Sequence, residues 1–329
     1  MEIKVMTSDM IEDVVKLWNE NVYNKSIMAE WTAEDFKSRF IDQSCYDPDG
    51  FLVAVDEKNN EIIGFGHASY NNQNKASELT PGYITCIAVK EGYQRQGIGT
   101  KILLELESFL KSKGKTYVRN FFANPVNLKW YVPGYEKHEH AGAPAVDINS
   151  PFYFLLSSQG YTPNGQQDAF HIDLTKYEMD AKIKEKIKRN EEDGYYITIY
   201  DPKKHHGFDE MFDALGSEGW KQAIHYNLTR KDPRPIIIVE KDGEILGFTG
   251  PLHTEASGRG SLAGVGIHPK AQARGLGKTM FCTLCEKSKE NGATFMTLFT
   301  GSENKARNIY LYAGLKIVQS FAIMRKELK

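Results

Sequence analysis

Two stretches of the chain repeat the same alternation of apolar runs and polar turns. Phe51-Leu52-Val53-Ala54-Val55 and Ile62-Ile63-Gly64-Phe65 flank a polar segment at 56–60, and the pattern returns as Ile236-Ile237-Ile238-Val239, the turn Lys241-Asp242-Gly243, and Ile245-Leu246-Gly247-Phe248. Short β-branched and aromatic runs on either side of a polar turn predict a β-hairpin in each place. Downstream of each hairpin a further apolar run predicts a strand: Tyr83-Ile84-Thr85-Cys86-Ile87-Ala88-Val89 in one half and Leu262-Ala263-Gly264-Val265-Gly266-Ile267 in the other. Amphipathic helices follow at 101–113 and 278–290, ended by Gly114 and Gly292. Near the start, Ile11, Val14, Val15, Leu17 and Trp18 recur at helical spacing and predict a helix over 9–22. The segment 176–193 is highly charged and closes at Gly194, which predicts a linking helix. Domains are therefore expected at 1–175 and 194–329, joined by 176–193.

Between strand and helix, each half carries a glycine-rich turn. Gln94-Arg95-Gln96-Gly97-Ile98-Gly99 is matched by Gln272-Ala273-Arg274-Gly275-Leu276-Gly277, with Gly275 standing 178 residues after Gly97 (275 minus 97). Two copies in the same strand–turn–helix setting point to a tandem duplication. A helix start offers unpaired N–H donors and the positive end of the macrodipole, and glycines without Cβ atoms let a diphosphate rest on the backbone. Two other phosphate loops fit poorly. The nucleoside-triphosphate loop requires a glycine where Gln272 stands, and the dinucleotide fingerprint requires three glycines and a later acidic residue.

Composition narrows the partners. A length of 329 residues suits about two domains of roughly 150 residues each. Lys plus Arg is 41 against 43 for Asp plus Glu, a formal net charge of −2, so neither a nucleic acid nor a polybasic membrane contact is expected. The opening residues reach Ser8, Asp9, Glu12 and Asp13 with no uninterrupted apolar core, so no signal peptide, no membrane span and a cytoplasmic protein are expected. Cys45, Cys86, Cys282 and Cys285 are too scattered for a disulfide framework, and the Cys282–Cys285 pair falls two turns inside a helix, where packing is expected and not redox or zinc chemistry. His138 and His140 are expected on an exposed polar loop, with no metal.

Through the pattern Gln/Arg-x-x-Gly-x-Gly/Ala, filled by Gln94, Gly97 and Gly99 and again by Gln272, Gly275 and Gly277, both halves resemble the GNAT (GCN5-related N-acetyltransferase) family. The resemblance implies an α/β chain of α+β type, with two domains that each hold a mixed, mostly antiparallel twisted sheet flanked by helices. It implies acetyl-CoA as co-substrate, with its pyrophosphate on the glycine loop. Carried over by position, cofactor contacts fall on Ile87, Val89, Gln94, Gln96, Gly97, Ile98, Gly99 and Thr100, and on Val265, Ile267, Gln272, Arg274, Gly275, Leu276, Gly277, Lys278 and Asn304. The family's fourth strand is bulged and splayed from the fifth to admit pantetheine, and Gly264 and Gly266 suit such a distortion.

The halves diverge where the family keeps a catalytic tyrosine. In the second half Tyr310 stands four residues before Gly314, downstream of Asn304, in the register of the group that protonates the departing thiolate. In the first half the matching glycine is Gly160 and Leu156 stands in the tyrosine's place, with Tyr153 one turn earlier and a long insertion at 130–147. The resemblance thus implies an N-acetyltransferase for a primary amine of a small molecule or peptide. It implies a catalytic C-terminal domain and an N-terminal domain that has lost the chemistry. By the same resemblance a strand N–H near Val265 to Ile267 is expected to meet the oxyanion and Tyr310 to act as acid; the base has no motif, and Glu255 is the expected one among the nearby candidates Glu255, Glu303 and His253. Two active sites, or a non-catalytic acetyl-CoA sensor, are the alternatives. A monomer or homodimer is expected.

Overall fold

The computed structural model describes residues 1–22, 26–71 and 80–329. In chain order the first half gives β1 (Glu2–Val5), α1 (Ile11–Val22), α2 (Ala33–Phe36), β2 (Phe51–Asp56), β3 (Glu61–Tyr70), β4 (Gly82–Val89), α3 (Ile98–Ser112) and β5 (Tyr117–Asn120). β1 to β4 are antiparallel neighbours, and β5 runs parallel to β4. The helix predicted over 9–22 buries the apolar positions that predicted it, Ile11, Val14, Val15, Leu17 and Trp18. They pack on one face of the sheet with Phe51 and Phe65, where Trp18 stacks on Trp31 at 4.0 Å. α3 covers the other face, setting Ile102, Leu103, Leu106 and Leu110 against Ala54, Ile63 and Ala68. Each of these Ile and Leu side chains contributes about 1.5–3 kcal/mol by leaving water.

The chain continues through β6 (Trp130–Tyr131), β7 (Glu139–His140), β8 (Val146–Asp147), α4 (Pro151–Ser158) and β9 (Thr162–Asp173). His140, expected on an exposed loop, is buried with its ring stacked on that of Trp130, because the insertion folds back as a small hairpin. The second half then repeats the first. α5 (Ala181–Glu192) leads into β10 (Tyr196–Ile199), α6 (Phe208–Leu215), α7 (Glu218–Leu228), β11 (Ile237–Lys241), β12 (Glu244–Gly250), β13 (His253–Thr254), β14 (Arg259–Ser261), β15 (Gly264–Ile267), α8 (Leu276–Glu290), β16 (Phe295–Gly301), α9 (Arg307–Tyr312) and β17 (Lys316–Glu327). Its predicted hairpin closes on Asp242 and Gly243, at φ 53° and 83°; two left-handed residues give the turn whose twist matches that of the strands it joins. β10, β11, β12 and β15 lie side by side, all antiparallel, while β14 runs parallel to β16. Among the described residues no helix is long and apolar enough to cross a membrane.

The distortion of the fourth strand differs from expectation. In the first half β3 and β4 shift register between His67 and Ala68, which leaves Thr85 as the extra residue of a bulge. In the second half the register runs unshifted from Gly247↔Ile267 to Gly250↔Gly264, and resumes in β13 and β14 at His253↔Ser261. Gly264 and Gly266 therefore mark no bulge. A Cβ on Gly264 would stand 2.4 Å from the Trp220 ring, and one on Gly266 2.7 Å from a Leu215 methyl. These glycines let α6 and α7 lie close on the sheet. The strand is instead interrupted at Leu262 and Ala263, between β14 and β15.

Two compact units emerge, Met1–Asp168 with Gln319–Lys329, and Ala169–Val318. The linking helix expected at 176–193 is α5, and it lies within the second unit. The last residues of the chain serve the first unit. Met324 to Glu327 of β17 pair antiparallel with β5, and Ala322 and Met324 enter the core under α3. Lys326 there donates to both carboxylate oxygens of buried Glu107, at 2.8 and 2.9 Å, beside the Tyr161 hydroxyl at 3.0 Å. Replacing Met324 by Ala is expected to destabilise the first unit by about 2–5 kcal/mol, read as an earlier step in urea unfolding. A loss below about 1 kcal/mol would show that this strand end is not core.

Candidate active site

The two glycine loops have the same backbone. Arg95 and Gly97 have φ 62° and 84°, and Ala273 and Gly275 have 63° and 77°. Alternating left-handed residues point successive N–H groups to one side, a geometry suited to anions. The first glutamine of each loop secures it from behind: Gln94 Nε2 donates to the Val89 carbonyl at 2.9 Å, and Gln272 Nε2 to the Ile267 carbonyl at 3.0 Å. These two side chains brace the loop, so what it leaves open are backbone N–H donors. Gln96 donates to Gly92, while the Arg274 guanidinium stands 5.0 Å over the Tyr195 ring and the Lys278 ammonium 4.5 Å over that of Tyr312. The N–H groups of Gly97, Ile98, Gly99 and Thr100, and of Gly275, Leu276 and Gly277, donate to no group among the described residues; that of Lys278 turns back to Gly275. α3 and α8 are full helices, so each loop presents free donors at a positive dipole end, which fits a diphosphate. At Gly277 packing adds a reason, since a Cβ there would stand 3.1 Å from Ile309, whereas one at Gly99 would make ordinary contact with Leu155 at 3.4 Å.

That shared contact aligns the two closing helices. Since Leu155 and Ile309 meet equivalent glycines, Leu156 and Tyr310, the next residues, hold equivalent places. Both are buried. Tyr310 packs against Phe170 and Phe281, with ring centroids at 5.5 and 4.9 Å, and burial pushes its hydroxyl pKa up to about 12. The hydroxyl makes no hydrogen bond among the described residues and is not among the fully enclosed unpaired polar atoms, so it retains its proton and an outlet. Val265 and Ile267 pack against the same cluster, whereas Ile87 and Val89 pack in the first unit under α3. Asn304 is exposed and uses its side-chain oxygen to receive the Ala306 N–H at 2.9 Å, leaving its amide free.

Glu255 has a structural task. Arg259 grips it with Nε at 2.9 Å and a terminal nitrogen at 2.6 Å, a bidentate pair that closes the β13–β14 turn. With both oxygens engaged, the carboxylate is poorly disposed to take a proton from an amine. Neighbouring His253 is held toward its neutral form by burial and by Arg234. Cys282 and Cys285 are buried on α8, where desolvation pushes both thiols up and away from reactivity.

A decisive group lies at the mouth of the splay, and sequence reading had passed it over. β4 and β5 share the pair Gly82↔Val118, and β14 and β16 share Gly260↔Met296, both parallel and both at the offset of the glycine loops. Two residues further, Asn120 in the first half corresponds to Leu298 in the second, and Ile84 to Leu262. The Asn120 Oδ1 accepts the Ile84 N–H at 3.1 Å and so spans the gap between the strands. Leucine cannot accept. The Leu262 N–H accordingly has no partner among the described residues, at the very break in its strand, and Ala263 beside it is exposed. In the first half the equivalent Thr85 is buried, hydrogen-bonded to His67 Nδ1 at 2.8 Å beneath Phe40 and Phe51. Only the spacing between the two repeats, applied to residues 120 and 298, could have signalled this difference in advance.

The second half thus combines free loop donors, an interrupted fourth strand and a buried tyrosine on the closing helix. The model described as the Acetyltransferase (GNAT) family matches residues 12–131 and 177–314, and the chain belongs to that family, whose members typically use acetyl-CoA. No curated protein sequence matches the chain. Among solved structures, one described as a GCN5-related glucosamine N-acetyltransferase region of a fungal multi-domain β-N-acetylglucosaminidase aligns over 99% of this chain and 38% of its own, at 15% identity and TM-score 0.68. A GCN5-related N-acetyltransferase from Sphaerobacter thermophilus aligns over 100% of this chain and 96% of its own, at 16% identity and TM-score 0.62. A tandem GNAT protein from the clavulanic acid biosynthesis pathway aligns over 100% and 98%, at 11% identity and TM-score 0.57. At these identities the likeness is one of fold.

The closed first half carries a pH signature. Complete burial pushes His67 down to about 3, so the folded state holds it neutral while the unfolded chain binds a proton near pH 6.5. Its contribution to stability is therefore complete above about pH 6.5 and is lost as pH falls toward about 3, at up to about 1.4 kcal/mol per pH unit. The first unit should unfold at lower urea at about pH 4.5 than at about pH 7.5, and His67→Gln should flatten that dependence. An imidazole resonance of His67 titrating normally near pH 6.5 would contradict this.

Proposed function

We propose that the chain is an acetyl-CoA-dependent N-acetyltransferase acting on a primary amine of a small molecule or peptide, with the second half as its catalyst. The observation that carries this reading is a single backbone donor: the Leu262 N–H is free, while its counterpart at Ile84 is spent on Asn120. Bound acetyl-CoA supplies an activated acetyl thioester. The Gly275, Leu276 and Gly277 N–H groups hold its diphosphate, and the Leu262 N–H donates to the carbonyl oxygen as the amine attacks and charge develops there. This moves the expected oxyanion donor from the stretch Val265 to Ile267 to the break just before it. Tyr310, protonated at neutral pH because burial raises its pKa to about 12, gives its proton to the departing sulfur. Glu255 takes no part, being held by Arg259; the ammonium proton leaves to solvent beside exposed Ala263, and the second proton that the nitrogen loses as the amide forms replaces the one Tyr310 gave to sulfur. The first half keeps its loop and transfers no acetyl group.

Exchanging the two divergent residues tests the assignment. Leu298→Asn sets an acceptor opposite the Leu262 N–H and should lower kcat by about 10²-fold, with CoA affinity within about threefold of wild type. Asn120→Leu should leave kcat within about twofold. Circular dichroism establishes that both variants are folded. The opposite ordering would place the chemistry in the first half.

Tyr310→Phe should reduce the single-turnover rate of thiol release by about 10²-fold or more, with cofactor affinity little changed. A rate equal to wild type would leave Tyr310 a packing residue.

A further inference from the structure

The lysines at 184–188 read, in sequence, as the solvated face of a linking helix. One of them lies against the second glycine loop. The Lys186 Cε stands 3.2 Å from where a Cβ on Gly275 would be, so its stem crosses the loop at the left-handed residue that begins α8. Its ammonium has no hydrogen-bond or ion-pair partner among the described residues, although Glu185 and Arg189 beside it pair with each other. The placement is firm, since Ile183 of the same helix is buried in the cluster that holds Leu276 and Met280 of α8. Just past α5, Tyr195 carries the Arg274 guanidinium over its ring. At the first loop the space around Gly97 is open to 4 Å.

An unpaired ammonium on a stem that touches the loop beside its free N–H donors concentrates positive charge there, and a multiply charged anion turns that arrangement to advantage. We infer that Lys186 is a diphosphate-binding residue of the second loop, reaching over it from α5, between the two repeats. The inference rests on the reading of that loop as the acetyl-CoA site. Lys186 closes over the diphosphate as a point charge, while the loop N–H groups fix its geometry.

Calorimetric titration of the full chain tests this with CoA, dephospho-CoA and S-acetylpantetheine, which lacks the diphosphate. Lys186→Gln keeps most of the stem and removes the charge. It should weaken CoA and dephospho-CoA alike by about 10-fold at low salt, leave S-acetylpantetheine unchanged and flatten the salt dependence. Lys186→Arg should restore most of the loss. Unchanged CoA affinity in Lys186→Gln, tighter binding, or a loss confined to CoA and absent for dephospho-CoA overturns the inference; the last outcome would assign Lys186 to the 3′-phosphate. Failure of the wider reading looks different: wild type would then show no CoA binding that Gly275→Glu abolishes.

Discussion

In each half the parallel contact between the fourth strand and its neighbour lasts for only one or two residue pairs, Gly82 with Val118 in the first, and Arg259 with Phe295 and Gly260 with Met296 in the second. Beyond those pairs the strands part and their backbone groups lose each other. An enclosed N–H without a partner costs about 1–3 kcal/mol, so the gap must be filled by a side chain, by water or by a ligand. The first half fills it from within through Asn120. The second has Leu298 there and leaves the donor open, which is the condition for a bound carbonyl to use it.

The rest of the contrast follows from that gap. Around the filled one, the first half has closed its sheet: Thr85 bulges inward onto His67, Phe40 and Phe51 cover both, and Leu156 replaces a hydroxyl with a methyl-bearing side chain. Around the open one, Ala263 reaches solvent and Tyr310 retains an unpaired hydroxyl under desolvation that holds its proton. The glycine loops do not share in this divergence. Their left-handed backbone and bracing glutamines are the same in both halves, because the turn must also join strand to helix whether or not a ligand sits on it.

α5 shows how a connecting segment can acquire a part in the site. Its apolar side, through Ile183, is spent on the cluster beneath α8, and that packing brings the stem of Lys186 across the second loop. Helical periodicity alone makes such a lysine look solvated; the neighbour that changes its meaning arrives some ninety residues later in the chain, at Gly275.

What the sequence determined by itself was local and periodic. Strand runs, α1, the hairpins, the paired glycine turns and the register of Tyr310 against Gly314 all depend on residues within a few turns of one another, and a duplicated chain states the strand runs, the hairpins and the glycine turns twice. What only the tertiary structure decided involves partners far apart. Gly264 and Gly266 look like bulge residues until Trp220 and Leu215 are found lying on them. Glu255 looks like a free carboxylate until Arg259 turns back on it. Residues from Gln319 onward read as the end of the second repeat, yet their cross-strand partners are in β5. The meaning of Asn120 rests on one hydrogen bond across 36 positions of sequence. A side chain's propensity is set by its neighbours in the chain, whereas the fate of a buried donor is set by whichever acceptor the packing brings to it.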